Sequence, residues 1–309
     1  MAAVTSTPDP VAPAPGVRPH PARRRVRLSG GGALLGVVPF LGYVGIFLAV
    51  PTLVVAVGAV TGDDGGFTLE NLARLADPYI LAAFGRSILL SAVTALLGAV
   101  FGALLGYALV TAPPDGLLRR AVTAAAGVLA QFGGVTLAFA FVATIGLSGF
   151  VTEFLRDRVG VDIYASGVWL FELPGLALVY AYFQIPLMVI VFLPALDGIR
   201  PQWREAAASL GGSTWQYWRL VGVPLLAPPF LGATLLLFAN AFSAYATAAA
   251  LVSQGSPIVP LQIRGALTSE VVLGQQNLGK AMALGMIVVV ALVMWLYAVV
   301  QKRSAKWLG

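Results

Sequence analysis

Few residues in this chain could carry out covalent chemistry. Cysteine is absent, and the one histidine, His20, lies in a Pro/Ala-rich N-terminal stretch. Thiolate nucleophiles, disulfide frameworks and multi-histidine metal centres are thereby excluded. One segment imitates a phosphate-binding loop, Gly274-Gln-Gln-Asn-Leu-Gly-Lys280-Ala281. Ala281 stands where such a loop requires a Ser or Thr hydroxyl for magnesium, and no strand-like run precedes it. The chain is expected to hold no catalytic residue, no metal and no cofactor.

The polar residues that remain of interest are uncharged and lie in apolar surroundings. Gln131 and Gln184 fall near the middle of long hydrophobic runs. Asn240, Ser243 and Thr247 follow one another at three and four residues, which places them on one face of a helix. Two roles suit all five: hydrogen-bond links between helices, or the lining of a solute path. No acid or base sits deep in any run. An ion-coupled carrier often keeps such a group near the midplane, and usually shows an inverted internal repeat, which is also missing here. Both absences argue against a secondary transporter, the main alternative function.

The elements that hold these residues are set by composition. Hydrophobic residues make up 59% of the 309 and charged residues only 10%, against about 25% charged in a soluble domain. Six runs are long enough to cross a hydrocarbon layer: approximately 34–60, 84–111, 121–147, 174–196, 224–247 and 280–301. None alternates as a barrel strand would, so each must satisfy its backbone internally as a helix. The expected fold is an all-α membrane bundle of about six transmembrane helices. Pro39, Pro51, Pro186 and Pro194 inside the runs predict kinks. Gly98, Gly102 and Gly106 form a small face on the second helix, suited to packing within the chain or against another subunit.

Charge gives the orientation. With a cytoplasmic N-terminus, 13 of the 19 basic residues fall inside and 9 of the 13 acids outside, so both termini are expected in the cytoplasm. The basic residues then act as topology signals, and nucleic acid is not expected as a partner. Residues 1–32 read as a disordered basic tail, 33–303 as the membrane domain and 304–309 as a short cytoplasmic tail. A cleaved signal peptide fits poorly, because the run after Arg23, Arg24, Arg25 and Arg27 far exceeds a signal core of about 7–15 residues. The same cluster invites a twin-arginine export reading, but basic residues before an uncleaved first helix already account for it.

One inside loop, about 198–223, differs from the others. Pro201 suits a first helical position, and Ala206, Ala207 and Ala208 are strong helix formers. Gly211 and Gly212 permit the positive φ that ends such a helix, and Ser213 with Gln216 makes a capping-box pattern for the next one. Trp203, Trp215 and Trp218 crowd the same loop, as suits a membrane interface or a protein partner.

The spacing Glu205-Ala206-Ala207, three residues, Gly211, nine residues, Val221-Gly-Val-Pro224 resembles the EAA loop of binding-protein-dependent ABC importer permeases. That pattern ends Ile-x-Leu-Pro; here Val replaces both Ile and Leu. The resemblance covers roughly 34–303. Phe67-Thr-Leu-Glu-Asn and Val259-Pro-Leu-Gln-Ile-Arg-Gly-Ala-Leu are more weakly similar to the polyamine, iron and phosphonate branch. The resemblance implies a type I importer bundle in a bacterial inner membrane, with Glu205, Ala206, Ala207 and Gly211 docking on a cytoplasmic ABC ATPase dimer. It also implies a second permease subunit, an external solute-binding protein and a small solute, with ATP hydrolysis supplied by the partner. The structural alternative for the loop is an amphipathic helix lying among membrane lipids without a partner.

Overall fold

The computed structural model describes residues 30–62, 64–113, 115–252, 258–268 and 275–305. Most of the expected N-terminal tail and residues 306–309 lie outside them. Contacts divide the chain into two units, residues 1–51 and 52–309. The first contains helix α1 (Gly30–Val44) and a π turn at Gly45–Ala49. Helix α2 (Val50–Ala59) follows, its residues from Thr52 onward belonging to the second unit. The helix continues through Pro39, and the π turn stands just ahead of Pro51, where the missing N–H disturbs the regular ladder.

The second unit continues with a short α3 (Glu70–Ala73) and the long α4 (Pro78–Thr111). Next come α5 (Leu117–Gln131), α6 (Val135–Ile145) and α7 (Phe150–Phe154). The series ends with α8 (Leu173–Asp197), α9 (Pro201–Ser209), α10 (Thr214–Tyr217), α11 (Val223–Ser243), α12 (Ala246–Leu251), α13 (Val259–Thr268) and α14 (Gln275–Ala305). Among the described residues the only β pairing is an isolated bridge between Thr61 and Phe67.

Among the described residues, six helical stretches are long and apolar enough to span a membrane, as the composition required. Their outward faces confirm the solvent: Leu89, Leu96, Phe101 and Leu104 on α4, and Val288, Leu292 and Trp295 on α14, are all exposed. A row of large apolar side chains on that scale is stable against lipid or another protein, not water. Helix α8 is the axis of the second unit and packs on α4, α5 and α11. Gly98, Gly102 and Gly106 of α4 face Gln184, Met188 and Leu196 of α8, so the small face serves packing within the chain.

The third run departs from the expected continuous helix. By length and composition its apolar stretch is Val135–Val159, but that stretch is interrupted by the turn at 146–149. Packing shows a different traverse. Val122 and Ala126 of α5 lie on Val189 and Leu193 of α8, whereas Leu137 and Ala138 of α6 join Leu176, Val179 and Tyr180 nearer its start. Helices α5 and α6 thus run the length of α8 together, broken at Phe132–Gly134. Beyond α7, the half-buried Tyr164 donates its hydroxyl to the Ile145 carbonyl, and this partial burial pushes its pKa up. Lys280 lies within α14, where its ammonium donates to Asn277 Oδ1 at 3.0 Å; Gly274, the first residue of the phosphate-loop look-alike, is outside the described residues.

Candidate functional site

Two places stand out: the α9 segment, and a pair of helix breaks. In the first, Arg200 is extended (φ −80°, ψ 129°) and Pro201 opens α9, where its missing N–H costs nothing. The helix closes through Gly211 at φ +78°. Gly211 N–H donates to Ala208 O and Gly212 N–H to Ala207 O, each at 2.9 Å, which satisfies carbonyls that the helix end would strand. Ser213 then caps α10: its Oγ accepts from Gln216 N–H at 3.3 Å, while its own N–H donates to Gln216 Oε1 at 2.7 Å.

No residue of α9 is buried. Glu205, Ala206 and Gly211 are exposed and Ala207 is half-buried. The Ser209 hydroxyl donates to the Glu205 carbonyl, but the Glu205 carboxylate meets no partner among the described residues. Beside it, Leu210 is 90% and Trp215 71% exposed. A nine-residue helix is too short to persist on its own backbone bonds. The surface of α9 thus presents exposed alanines and a carboxylate without a partner among the described residues, with two protruding apolar side chains beside it.

The second place is built from broken helices. Helix α5 ends at Gln131, and α6 begins after Gly134, whose φ of +76° requires glycine. Helix α11 ends at Ser243, and α12 begins at Ala246. The two breaks are tied together: Gly134 N–H donates to Thr247 Oγ1 at 2.9 Å. Helix α8 supports them, with the Tyr180 hydroxyl donating to the freed Ala244 carbonyl at 2.7 Å and Gln184 Nε2 to the Leu237 carbonyl at 2.9 Å. Backbone without helical partners survives at membrane depth only when such bonds replace them.

The five polar residues singled out by sequence therefore divide. Gln184 and Thr247 are buried and bond neighbouring helices, while Gln131, Asn240 and Ser243 are exposed. The Ser243 hydroxyl folds back on the Ala239 carbonyl at 2.8 Å. The face expected to run from Asn240 to Thr247 stops at Ser243, because the break carries Thr247 onto α12. Replacing Thr247 by Val keeps its shape and removes the acceptor. Thr247→Val is expected to lower stability by about 0.6 kcal/mol, the average for such interhelical bonds, read as a small drop in the melting temperature of the purified protein.

Residues 136–306, more than half of the chain, match the family described as "Binding-protein-dependent transport system inner membrane component". The chain is 28% identical over 173 residues to the sulfate transport system permease protein CysT of Escherichia coli (strain K12), covering 55% of this chain and 58% of that one. It is 27% identical over 198 residues to the putative ferric transport system permease protein FbpB 1 of Haemophilus influenzae, covering 62% and 30% respectively. The chain thus spans little more than half of CysT and under a third of FbpB 1. In fold it is similar to a bacterial ABC transporter involved in the import of alginate, with a TM-score of 0.67 at 18% identity over 89% of this chain and 95% of that one.

Proposed function

We propose that this chain, which belongs to the family of binding-protein-dependent transport system inner membrane components, is the permease subunit of an ATP-driven ABC importer. One observation carries the reading: α9, between the fourth and fifth spans, buries none of its residues and is closed by a left-handed glycine, with Glu205, Ala206 and Ala207 on it. Helix α9 is the coupling helix. It docks on one subunit of a cytoplasmic ABC ATPase dimer, with a second permease completing the pore and an external binding protein delivering a small solute. Gln131, Asn240 and Ser243 are the polar side chains available to line the path. ATP binding draws the two α9 helices together, and the bundle rocks to take solute from outside. The permease itself breaks no bond. A secondary carrier is disfavoured by family membership and by the lack of an acidic or basic side chain deep in the apolar runs.

This reading requires α9 to face the cytoplasm and to be covered by the ATPase. With no native cysteine, Leu210→Cys introduces the sole thiol. A membrane-impermeant maleimide is expected to label it only in inside-out vesicles, and only after the ATPase has been stripped away. Phe67→Cys, 80% exposed on the opposite side, should label in intact cells. Labelling of Leu210→Cys in intact cells would overturn the orientation and the docking together.

A further inference from the structure

Asp197 is the last residue of α8, three positions before Arg200 opens the way into α9. Its two carboxylate oxygens both accept from Arg119 Nη2 at 2.7 Å. The arginine side chain is 16% exposed and the aspartate 43%, so the pair is partly withdrawn from water. By contrast, the neighbouring Arg120–Asp115 contact is 3.3 Å long and open to solvent, with side-chain exposures of 71% and 95%.

Each member of the pair is placed against the field of its own helix. Arg119 lies in the first turn of α5, where the helix dipole is positive, and Asp197 at the C-terminus of α8, where it is negative. Neither position is favourable alone. Only the partner compensates, so the two charges lock the foot of α5 to the end of α8 as one unit. Above this lock, Val122 and Ala126 continue the contact along Val189 and Leu193. At its far end α5 runs into Phe132–Gly134, whose last N–H is bound to Thr247. One helix therefore connects the root of α9 to the paired breaks.

We propose that Arg119 and Asp197 are a positioning pair that passes movement of α9 into α5, and through it to the junction of Gly134 with Thr247. The proposal rests on the reading of α9 as the coupling helix. Asp197 conveys displacement of α9 to Arg119, α5 moves as a rigid rod, and the glycine break at its upper end converts that movement into a shift of α12. The pair touches neither ATPase nor solute in this scheme.

The experiment has two arms, both using nitroxides on the naturally cysteine-free chain. In the first, the full chain in lipid nanodiscs is labelled at Val128→Cys on α5 and Gln202→Cys on α9, both exposed positions. The parent should give one narrow distance peak, Arg119→Glu should lose it, and Arg119→Asp with Asp197→Arg should restore it. Restoration also shows that the single variant has not merely failed to fold. An unchanged peak in Arg119→Glu overturns the lock. In the second arm, the complex with its ATPase is labelled at Phe67→Cys and Val128→Cys and trapped with ATP and vanadate. The ATP-driven shift in distance should vanish in Arg119→Glu while ATPase recovery holds, and return in the charge-swapped pair. A shift that persists in Arg119→Glu overturns the transmission. Failure of the coupling reading looks different: the parent recovers no ATPase while the first arm behaves as expected, and the transmission then falls with that reading.

Discussion

Glu205→Lys and Gly211→Val should each cut ATP-driven uptake by the assembled importer more than tenfold, about 1.4 kcal/mol or more of lost coupling, while leaving the chain in the membrane. The reasoning begins from what α9 does not do. None of its residues is buried, and exposed substitutions ordinarily change stability by less than about 0.5 kcal/mol. Glu205→Lys therefore has little to disturb within the chain. Its effect falls on the partner surface, where reversing a charge against a docked group costs several kcal/mol as a like-charge contact. Gly211 acts through shape. Its φ of +78° costs a side-chain-bearing residue roughly 1–2 kcal/mol, more for a β-branched one. Valine there is relieved by turning the segment, and the turn re-aims Leu210 and the end of α9. Gly211→Asn, which tolerates the left-handed region, should retain most uptake. The measurements are uptake, ATPase recovered with the tagged permease, and permease in the membrane fraction. Full uptake in both Glu205→Lys and Gly211→Val would remove α9 from the coupling path.

The contrast between α9 and the broken helices shows which parts of the fold the sequence makes readable. Every device that shapes the α9 segment is local. Proline at a first helical position, an alanine run, a glycine with positive φ and a Ser/Gln capping box act within a few residues, and all four appear in the structure. The six apolar stretches are readable for the same reason, since backbone in lipid has few alternatives. The breaks are another matter. Gly133 and Gly134 could have marked the one in the third span, but the hydrophobic run continues through them and hides it. Ala244 and Tyr245 carry no breaking signal at all. That break exists because Tyr180, 64 residues away, meets the Ala244 carbonyl, and because Thr247 reaches Gly134 across 113 residues. Arg119 and Asp197 are likewise 78 residues apart. Contacts of this range follow from packing, which residue periodicity does not encode.

Within the glycine face of α4, the largest loss of stability is expected at Gly102. A Cβ built there would lie 2.5 Å from Met188 Cβ and 2.6 Å from the Ile185 carbonyl oxygen. The carbonyl belongs to the backbone of α8 and cannot turn aside as a flexible side chain does. Helix α4 or α8 must therefore move apart, which loosens the contacts of Ala95, Ala99, Met188 and Leu237 in the same cluster. Overpacking of this kind costs about 1–3 kcal/mol, and Gly102→Ala should fall at or beyond the upper end of that range. Gly98→Ala should follow, since its Cβ would stand 2.6 Å from Gln184 Cβ and 3.0 Å from Leu237 Cδ2. Gly106→Ala should cost little, because the one neighbour in its way is the movable tip of Leu196, at 3.1 Å. Gly85 is the internal control. It lies on the same helix with open space around it, so Gly85→Ala gains the ordinary helix preference of alanine, up to about 1 kcal/mol. Melting temperatures of the purified variants should rank Gly85→Ala highest, then Gly106→Ala, Gly98→Ala and Gly102→Ala. Should Gly102→Ala melt with Gly85→Ala, the glycine face would not be where α4 meets α8, and its three small residues would be left for a contact with another subunit.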